Sequence, residues 1–373
     1  MSSAHAPRPD AHGRLSPGEA LRLLAEGEFH DLAARADALC RRLHPAPWRT
    51  FAIDRNINFT NVCACQCLFC AFWRAPGDPD AYVLSDEAIE AKAREAAALG
   101  ATHVLMQGGL HPGLDLGWYE RMLRRVRERF PSVAIHAFSP PEVWDLARRE
   151  GLAAEAVLER LRAAGLSSLP GGGAEILAER VRRLLSPRKG AAQDWLAVMR
   201  AAQRLGMPTT ATMVFGHVET PGERIEHLRR LRDLQDETGG FQSFIAWPFL
   251  AARTRLAASG LLPATWRPVS GVEYLRMVAL ARLFLDNVPH IQASHVTMGP
   301  KIAQVALGFG ADDLGSTMIE ENVVSAARPA ESRCAAGRAG AAGTLSAEDL
   351  RRLVRAAGFE PRQRDCYYRI VGP

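Results

Sequence analysis

The sequence predicts an α/β protein built on a (β/α)8 barrel of the TIM type, with N-terminal helices and a C-terminal helix and strand extension. Eight predicted strands alternate with helices over about 250 residues, the order and length of such a barrel. The polar and glycine-rich clusters follow the C-terminal ends of the strands, where these barrels carry their active sites. A doubly wound open sheet is the alternative, although no dinucleotide-binding glycine fingerprint precedes the first strand.

The segment before the barrel is predicted to form two helices. We expect residues 1–13 to be disordered. Ser16, Pro17 and Glu19 form a helix start, and the helical region runs to residue 43, ahead of two prolines. This gives three predicted parts: an arm with packing helices (1–47), the barrel (48–327), and a linker with a C-terminal extension (328–373).

Strands are predicted from alternation and helices from caps and helical periodicity. Phe51, Ile53, Ile57 and Phe59 share one parity, which predicts a strand that leads directly into a cysteine-rich loop. The predicted strands cover residues 48–59, 102–107, 133–138, 166–169, 209–215, 241–249, 290–295 and 313–319, with an extended segment at 364–370. The predicted helices cover residues 85–99, 118–130, 141–149, 153–164, 175–185, 195–205, 224–236, 272–285, 301–307 and 346–357.

Composition limits the classes of function. The chain has 373 residues, 47% of them hydrophobic and 23% charged, which is ordinary for a globular protein. A formal net charge of +5 without a basic run argues against a nucleic-acid partner. The N-terminal residues do not resemble a signal peptide, and charged residues interrupt the apolar helix at 272–285. We therefore expect a cytoplasmic protein with no membrane partner.

The cysteine-rich loop carries the strongest chemical signal. Residues 61–70 hold four of the seven cysteines, in the spacing Cys63-x3-Cys67-x2-Cys70 with Cys65 in addition. Three thiolates on a short loop can hold three corners of a [4Fe–4S] cluster and leave the fourth iron open to a small molecule. Cys65 can replace Cys63 or Cys67 in this arrangement. The remaining cysteines are isolated in sequence and are predicted to be free thiols: Cys40, Cys334 and Cys366.

Other uses of these cysteines fit less well. A structural zinc site needs a second Cys or His pair, and none follows Cys67 and Cys70 at such spacing. The run also differs from the C-x2-C-x2-C-x3-C-P pattern of bacterial ferredoxins. A zinc-binding module and a non-catalytic iron–sulfur electron carrier remain the alternatives from a different class of protein.

Several strand ends supply further candidate residues. Gly108 and Gly109 end one strand and allow a ligand or a tight turn to approach the backbone. Three glycines precede Glu175 at a predicted helix start, which favours an anion-binding site, although an acid there also suits the helix dipole. Five polar residues at strand ends are candidates to orient substrate or move protons: His136, Ser139, His217, Glu219 and His295.

The chain resembles a branch of the radical S-adenosylmethionine enzymes that contains the futalosine-pathway enzymes of menaquinone biosynthesis and the deazaflavin-forming FO synthase. The stretches that carry the resemblance are residues 56–63, 107–112, 136–142, 170–175, 210–220, 235–241 and 315–322. Residues 170–175 and 315–322 resemble the member that cyclises dehypoxanthine futalosine, whereas the FO synthase subunit tends to have Thr-Ala at Gly172 and Gly173. The chain departs from the branch at Ala64-Cys65-Gln66, and at His295 and Met298, where Trp and Gln are expected.

The resemblance implies a barrel of the radical S-adenosylmethionine kind, with one [4Fe–4S] cluster and S-adenosylmethionine as cofactors. It implies Cys63, Cys67 and Cys70 as the iron ligands. It places a second group of residues beside the bound S-adenosylmethionine: Phe69, Gly108, Gly109 and Glu175.

The implied reaction is a radical ring closure on a nucleoside-derived substrate, dehypoxanthine futalosine. A 5′-deoxyadenosyl radical removes the C4′ hydrogen, the carbon radical adds to the benzoate ring, and loss of an electron and a proton completes the product. His217, Glu219 and His136 are the candidate bases, and Ser139 and His295 the candidate substrate contacts. A low-potential donor such as flavodoxin or ferredoxin would supply electrons. Aminofutalosine synthase and the FO synthase subunit are the alternatives that use the same cofactors.

Overall fold

The computed structural model describes residues 13–328 and 344–372. The predictions made for residues 1–12 and 329–343, including the free thiol of Cys334, lie outside these ranges. No helix in the described ranges combines the length and apolar character that a bilayer crossing requires.

The strands form a closed parallel barrel with one additional strand. The strands are β1 (Trp48–Ala52), β2 (Asp54–Ile57), β3 (His103–Met106), β4 (Ala134–Ala137), β5 (Thr209–Phe215), β6 (Phe241–Pro248), β7 (His290–Gln292), β8 (Asp313–Ser316) and β9 (Glu360–Gln363). One parallel sheet has the order β5-β6-β7-β8-β1-β9 and the other has the order β2-β3-β4. Isolated bridges from Ser168 to His136 and from Leu169 to Thr209 join the two sheets, so the barrel closes as the sequence predicts.

The first barrel strand is divided between two partners. The single strand predicted at 48–59 is two strands, β1 and β2, separated by Ile53. β1 pairs with β8 on one side and β9 on the other, whereas β2 pairs with β3. Phe51, Ile57 and Phe59 are fully buried, which confirms that the residues of this parity share one buried side of the strand.

The helices lie between the strands, as the β–α order predicts. They are α1 (Pro17–Glu26), α2 (Phe29–Leu43), α3 (Asp86–Ala98), α4 (Leu116–Arg129), α5 (Pro140–Glu150), α6 (Ala154–Ala163), α7 (Glu179–Leu185), α8 (Ala192–Arg204), α9 (Pro221–Thr238), α10 (Arg255–Ala258), α11 (Gly271–Phe284), α12 (His295–Met298), α13 (Pro300–Ala306), α14 (Val323–Ala326) and α15 (Ala347–Ala356). The predicted caps are present. Ser16 and Glu19 form a capping box at α1, and Ser85 Oγ accepts the Ala88 N–H at α3.

The two N-terminal helices pack on the outer helical layer of the barrel. α2 lies against α11, and α1 contacts α9 and α11. Leu32 and Ala36 of α2 are buried together with Ala279 of α11. Small alanine side chains allow the two helices to approach closely, so α2 is fixed to the barrel along its length.

Four local predictions were wrong in detail. The helix predicted from Glu175 begins only at Glu179. The predicted strand 166–169 is reduced to the two bridges, because Pro170 has no N–H to extend a ladder. β7 ends at Gln292, and His295 begins the short helix α12. The extension forms its strand at Glu360–Gln363, ahead of the predicted segment 364–370.

Candidate active site

A cavity of about 350 Å³ opens at the C-terminal ends of the barrel strands. This volume is within the range of small-molecule sites. The sequence-predicted residues that line it are Cys63, Cys67, Cys70, Phe69, Gly108, Gly109, Glu175, His136, Ser139 and His295. Cys65 lines it as well, and so do Arg364 and Tyr368 from the segment that follows β9. The fold therefore brings most of the predicted site to one place.

The cysteine loop is fixed by backbone hydrogen bonds on both sides. The Cys63 N–H donates to Arg74 O at 3.0 Å, and the Ala64 N–H donates to Leu110 O at 2.9 Å. The Leu110 N–H also points at the Cys63 sulfur, with the nitrogen 3.4 Å from Sγ. Contacts of this kind hold the loop at the end of β2 with its sulfurs facing the cavity.

The thiols differ in their preference for the thiolate form. Hydrogen bonds from Cys65 lower the pKa of Cys63 and of Cys67, and the positive charge of Lys189 acts in the same direction. The contacts with Cys63 and Cys67 raise the pKa of Cys65, and burial raises the pKa of Cys70 to about 11. Thiolates are the ligands of iron–sulfur clusters. Several thiols on one loop, beside a cation and facing one cavity, fit a [4Fe–4S] cluster.

Gly108 and Gly109 line the cavity, and the structure shows what each glycine makes room for. A Cβ at Gly109 would lie 2.2 Å from Val62 O and 2.7 Å from Cys63 Cβ. A Cβ at Gly108 would lie 2.2 Å from the Phe59 ring. Both glycines therefore allow the turn after β3 to pack directly on the strand and loop that carry the cysteines.

Glu175 lies in a loop, with a φ of 43°, and is part of a buried ion pair. Its Oε1 is 2.5 Å from Lys189 Nζ, with side-chain exposures of 8% and 14% respectively. Burial alone would lower the pKa of Lys189, but the charges of Glu175 and Cys67 raise it. The lysine also lies 5.3 Å from the centroid of the Phe69 ring. Sequence reasoning missed Lys189, because nothing in its Pro-Arg-Lys-Gly surroundings indicates a buried partner.

Glu142 is a second cavity residue that sequence reasoning did not select. Its Oε2 accepts a hydrogen bond from Ser139 Oγ at 2.6 Å, and its Oε1 accepts the Gly108 N–H at 3.1 Å. Burial raises the pKa of Glu142 to about 8, and the two hydrogen bonds offset this only in part. The Ser139-x2-Glu142 spacing at the start of α5 was the available signal, but it is equally typical of a helix cap.

His136 faces the cavity as a neutral imidazole. Its Nδ1 lies 2.7 Å from Ser168 Oγ. Burial, with the charge of Arg364, lowers the pKa of His136 to about 3. His295 is buried and lines the cavity from α12, with Nε2 2.8 Å from Ser316 O.

His217 and Glu219 are not among the cavity-lining residues. The His217 Nδ1 lies 2.8 Å from Glu219 Oε2, and both side chains are fully buried. Glu219 accepts the backbone N–H groups of Gly216 and His217 and pairs with Arg224. Burial would raise the pKa of Glu219, but the contacts with His217 and Arg224 lower it. The pair stabilises the turn after β5, so the structure does not bring these two candidate bases to the cavity.

Comparison with known proteins gives two matching family models and a set of full-length relatives. Residues 57–231 match the Radical SAM superfamily, and residues 238–372 match the CofH/MqnC C-terminal region. The cyclic dehypoxanthine futalosine synthase of Halalkalibacterium halodurans is 43% identical over 96% of this chain and 92% of its own length. The synthase of the same name from Streptomyces coelicolor is 42% identical over 97% of this chain and 86% of its own length.

Relatives named for a different activity are nearly as similar. The 5-amino-6-(D-ribitylamino)uracil–L-tyrosine 4-hydroxyphenyl transferase of Methanopyrus kandleri is 42% identical over 86% of this chain and 84% of its own length. Among solved structures, methylornithine synthase has a TM-score of 0.71 at 18% identity, covering 94% of this chain and 95% of that one. The hydrogenase maturase HydG of Carboxydothermus hydrogenoformans has a TM-score of 0.72 at 17% identity, covering 95% and 78%. These two structures share the fold of this chain.

Proposed function

The chain belongs to the radical S-adenosylmethionine superfamily, in the family of the cyclic dehypoxanthine futalosine synthases and their transferase relatives, and we propose that it cyclises dehypoxanthine futalosine. The observation that carries this proposal is the thiol-lined cavity in a chain similar, over nearly its whole length, to two synthases of that name. The product would be cyclic dehypoxanthine futalosine, a precursor in menaquinone biosynthesis.

The cofactors are one [4Fe–4S] cluster and S-adenosylmethionine. When bound, they supply the one-electron chemistry that removes a hydrogen atom from an unactivated carbon. Cys63, Cys67 and Cys70 would hold the cluster. Glu175 and Phe69 would contact S-adenosylmethionine, and Lys189 would hold Glu175 in one orientation through their 2.5 Å contact.

The cavity walls would position the substrate and exclude water. Ring closure needs C4′ and the aromatic ring to be held close together, so that the new bond forms before another reaction intervenes. His136, which is neutral, and Ser139 face the cavity near the end of β4 and provide hydrogen-bonding groups for the substrate.

We assign the final proton to Glu142. After the ring has formed and one electron has left, a ring carbon must release a proton to restore aromaticity. Of the three bases predicted from sequence only His136 lines the cavity, and with a pKa of about 3 it is a weak base. Glu142 lines the same cavity near Cys63, and its pKa of about 8 makes the ionised form the stronger acceptor.

The loop after Leu169 favours the cyclase over the FO synthase subunit. A Cβ at Gly173, where φ is +77°, would lie 2.5 Å from Pro141 Cγ, and a Cβ at Gly172 would lie 2.9 Å from Gln107 Nε2. The Thr-Ala pair of the FO synthase subunit would therefore require this loop to move.

The test is an anaerobic assay. The protein is reconstituted with iron and sulfide, reduced with dithionite, and supplied with S-adenosylmethionine and dehypoxanthine futalosine. We expect 5′-deoxyadenosine and cyclised product together, and neither from Cys70→Ala protein. Turnover of 5-amino-6-(D-ribitylamino)uracil with tyrosine, or formation of aminofutalosine, in place of cyclisation would reassign the substrate. No 5′-deoxyadenosine from a fully loaded cluster would overturn the catalytic proposal.

We propose that the electron donor is a low-potential carrier such as flavodoxin or ferredoxin, and that the enzyme works in the cytoplasm. A donor would be required because a cluster held by Cys63, Cys67 and Cys70 would supply its one-electron chemistry only in the reduced state. In the assay above, reduced flavodoxin or ferredoxin replaces dithionite. Cyclisation at a rate equal to or above that with dithionite is the expected result.

A further inference from the structure

Two histidines and an aspartate meet at the end of the barrel opposite the cysteine loop. His44 follows α2, His290 is the first residue of β7, and Asp312 lies just before β8. These positions are at the N-terminal ends of the strands, a face that in such barrels serves stability rather than catalysis. None of the three is among the residues that line the cavity.

The three side chains present one ligand atom each within 4.8 Å of one another. The His290 Nδ1 is 2.5 Å from Asp312 Oδ2, and the His44 Nε2 is 3.5 Å from the same oxygen. The two imidazole rings are stacked, with centroids 4.9 Å apart and planes inclined by 25°. Two ring nitrogens therefore approach one carboxylate oxygen from neighbouring directions.

The other oxygen of Asp312 is held in place. Arg282 Nη2 donates to Asp312 Oδ1 at 2.5 Å, and the Ile291 N–H donates to the same oxygen at 2.8 Å. Hydrogen bonds of this kind orient the carboxylates that ligate metals. They aim Oδ2 at the histidines and leave it as the oxygen available to an ion.

We propose that His44, His290 and Asp312 bind a divalent transition-metal ion, with zinc as the best-fitting ion. Imidazole and carboxylate are zinc ligands with bond lengths of about 2.0–2.2 Å, and three of them form three corners of a tetrahedron. Magnesium and calcium are disfavoured, because they require mainly oxygen ligands. The side chains of His44 and His290 are 22% and 19% exposed, so water can reach the fourth position.

Zinc binding requires each imidazole to exchange its present hydrogen bond for a bond to the metal. His44 Nε2 now lies 2.9 Å from Pro289 O, and His290 Nδ1 lies beside Asp312. On binding, the proton of each ring moves to the other ring nitrogen, and the metal takes the nitrogen that is then bare. Arg282 is the nearby cation that opposes the ion, and its charge is already paired with Asp312.

A bound zinc would tie the N-terminal helices to the barrel and to the base of the cavity. His44 ends α2, so the ion would connect this helix with two barrel strands. The His290 ring also stacks on Tyr368, with centroids 4.0 Å apart, and Tyr368 lines the cavity. The role of the site is therefore structural and independent of the reaction at the cysteine loop.

The first test measures zinc stoichiometry on cluster-loaded protein without an affinity tag, by equilibrium dialysis and metal analysis. We expect about one zinc per chain, lost in His44→Gln and His290→Ala proteins. His30→Ala is the matched control, since His30 is exposed on the same helix. Zinc should raise the thermal midpoint of the wild type and the control but not of His44→Gln. Equal zinc content in His44→Gln and wild type would overturn the proposal.

The second test needs no variant and so does not depend on the folding of one. Crystals of the cluster-loaded protein are soaked with one equivalent of zinc, and anomalous scattering is measured at the zinc absorption edge. A peak between His44 Nε2, His290 Nδ1 and Asp312 Oδ2 is expected. Anomalous signal at the cysteine loop alone, or none, would refute the site.

Discussion

The Glu142→Gln substitution tests the most unusual group in the cavity. Glutamine has the same shape and cannot ionise. Its amide oxygen can still accept the Gly108 N–H, and its amide nitrogen can donate to Ser139 Oγ, whose hydroxyl now donates to Glu142. Both hydrogen bonds are therefore kept, and the main change is the loss of the charge.

The expected effect on stability follows from the pKa. A carboxyl whose pKa is raised by folding stabilises the protein only while it is protonated. That stability is complete below the ordinary value of 4.5 and is lost as the pH rises through about 8. Between pH 5 and pH 7 the wild type should lose about 3 kcal/mol of unfolding free energy relative to Glu142→Gln, at about 1.4 kcal/mol per pH unit.

Two measurements check this reasoning. Urea unfolding of both proteins at pH 5, 6 and 7 gives the difference in unfolding free energy, which should grow with pH in favour of the variant. In the anaerobic assay, kcat of the wild type should rise toward pH 8, whereas Glu142→Gln should be slower by about 10²- to 10⁴-fold and lack this rise. If the two stability curves run parallel, the carboxyl is not perturbed, and an unchanged kcat would remove Glu142 as the proton acceptor.

Three further substitutions probe the same cavity. Lys189→Met leaves Glu175 buried and unpaired, so urea unfolding should show that the unfolding free energy falls by about 3–5 kcal/mol. The double variant Lys189→Met with Glu175→Gln should recover most of this loss. Equal losses in the single and double variants would contradict the pairing. Cys65→Ala protein should keep four iron atoms after anaerobic reconstitution, and loss of iron would overturn the ligand assignment. Gly173→Ala should lower the unfolding free energy more than Gly206→Ala. Both glycines have a positive φ, so each substitution costs about 1–2 kcal/mol in backbone strain. Of the two, Gly173 alone has a neighbour in contact with the added methyl group, which adds to its cost.

Much of the fold and part of the site follow from local patterns. The alternation of Phe51, Ile57 and Phe59 predicts that these side chains share one buried side of the first strand, because side chains on a strand alternate between its two sides. Parallel strands end on one face of the barrel, so residues that follow different strands, such as Gly108 and Ser139, meet in one cavity. The cysteines are close together in the sequence, so their spacing alone predicts that several thiols share one loop.

The remaining residues depend on contacts that spacing does not contain. His217 and Glu219 follow a strand as Ser139 does, but Glu219 bonds to the N–H groups of its own turn and is directed away from the cavity. Lys189 reaches Glu175 from a separate loop, and its partner is known only once both loops are placed. A residue's position after a strand predicts that it lies at the C-terminal rim of the barrel. Hydrogen bonds within each turn then decide whether its side chain faces the cavity.

β1 pairs with β9, whereas β2 pairs with β3, and this division determines the order in which the barrel can assemble during synthesis. β1 pairs with β9 through contacts such as Trp48 with Glu360, and the segment beyond β9 contributes Arg364 and Tyr368 to the cavity. Domains fold while the ribosome synthesises the chain, which grows at about 5–20 residues per second. The nascent barrel therefore keeps an open seam beside β1 until residue 360 and its neighbours emerge. During that interval the barrel interior is accessible to solvent through the gap beside β1. Ribosome-bound chains stalled before residue 360 should therefore be cleaved by protease at this seam.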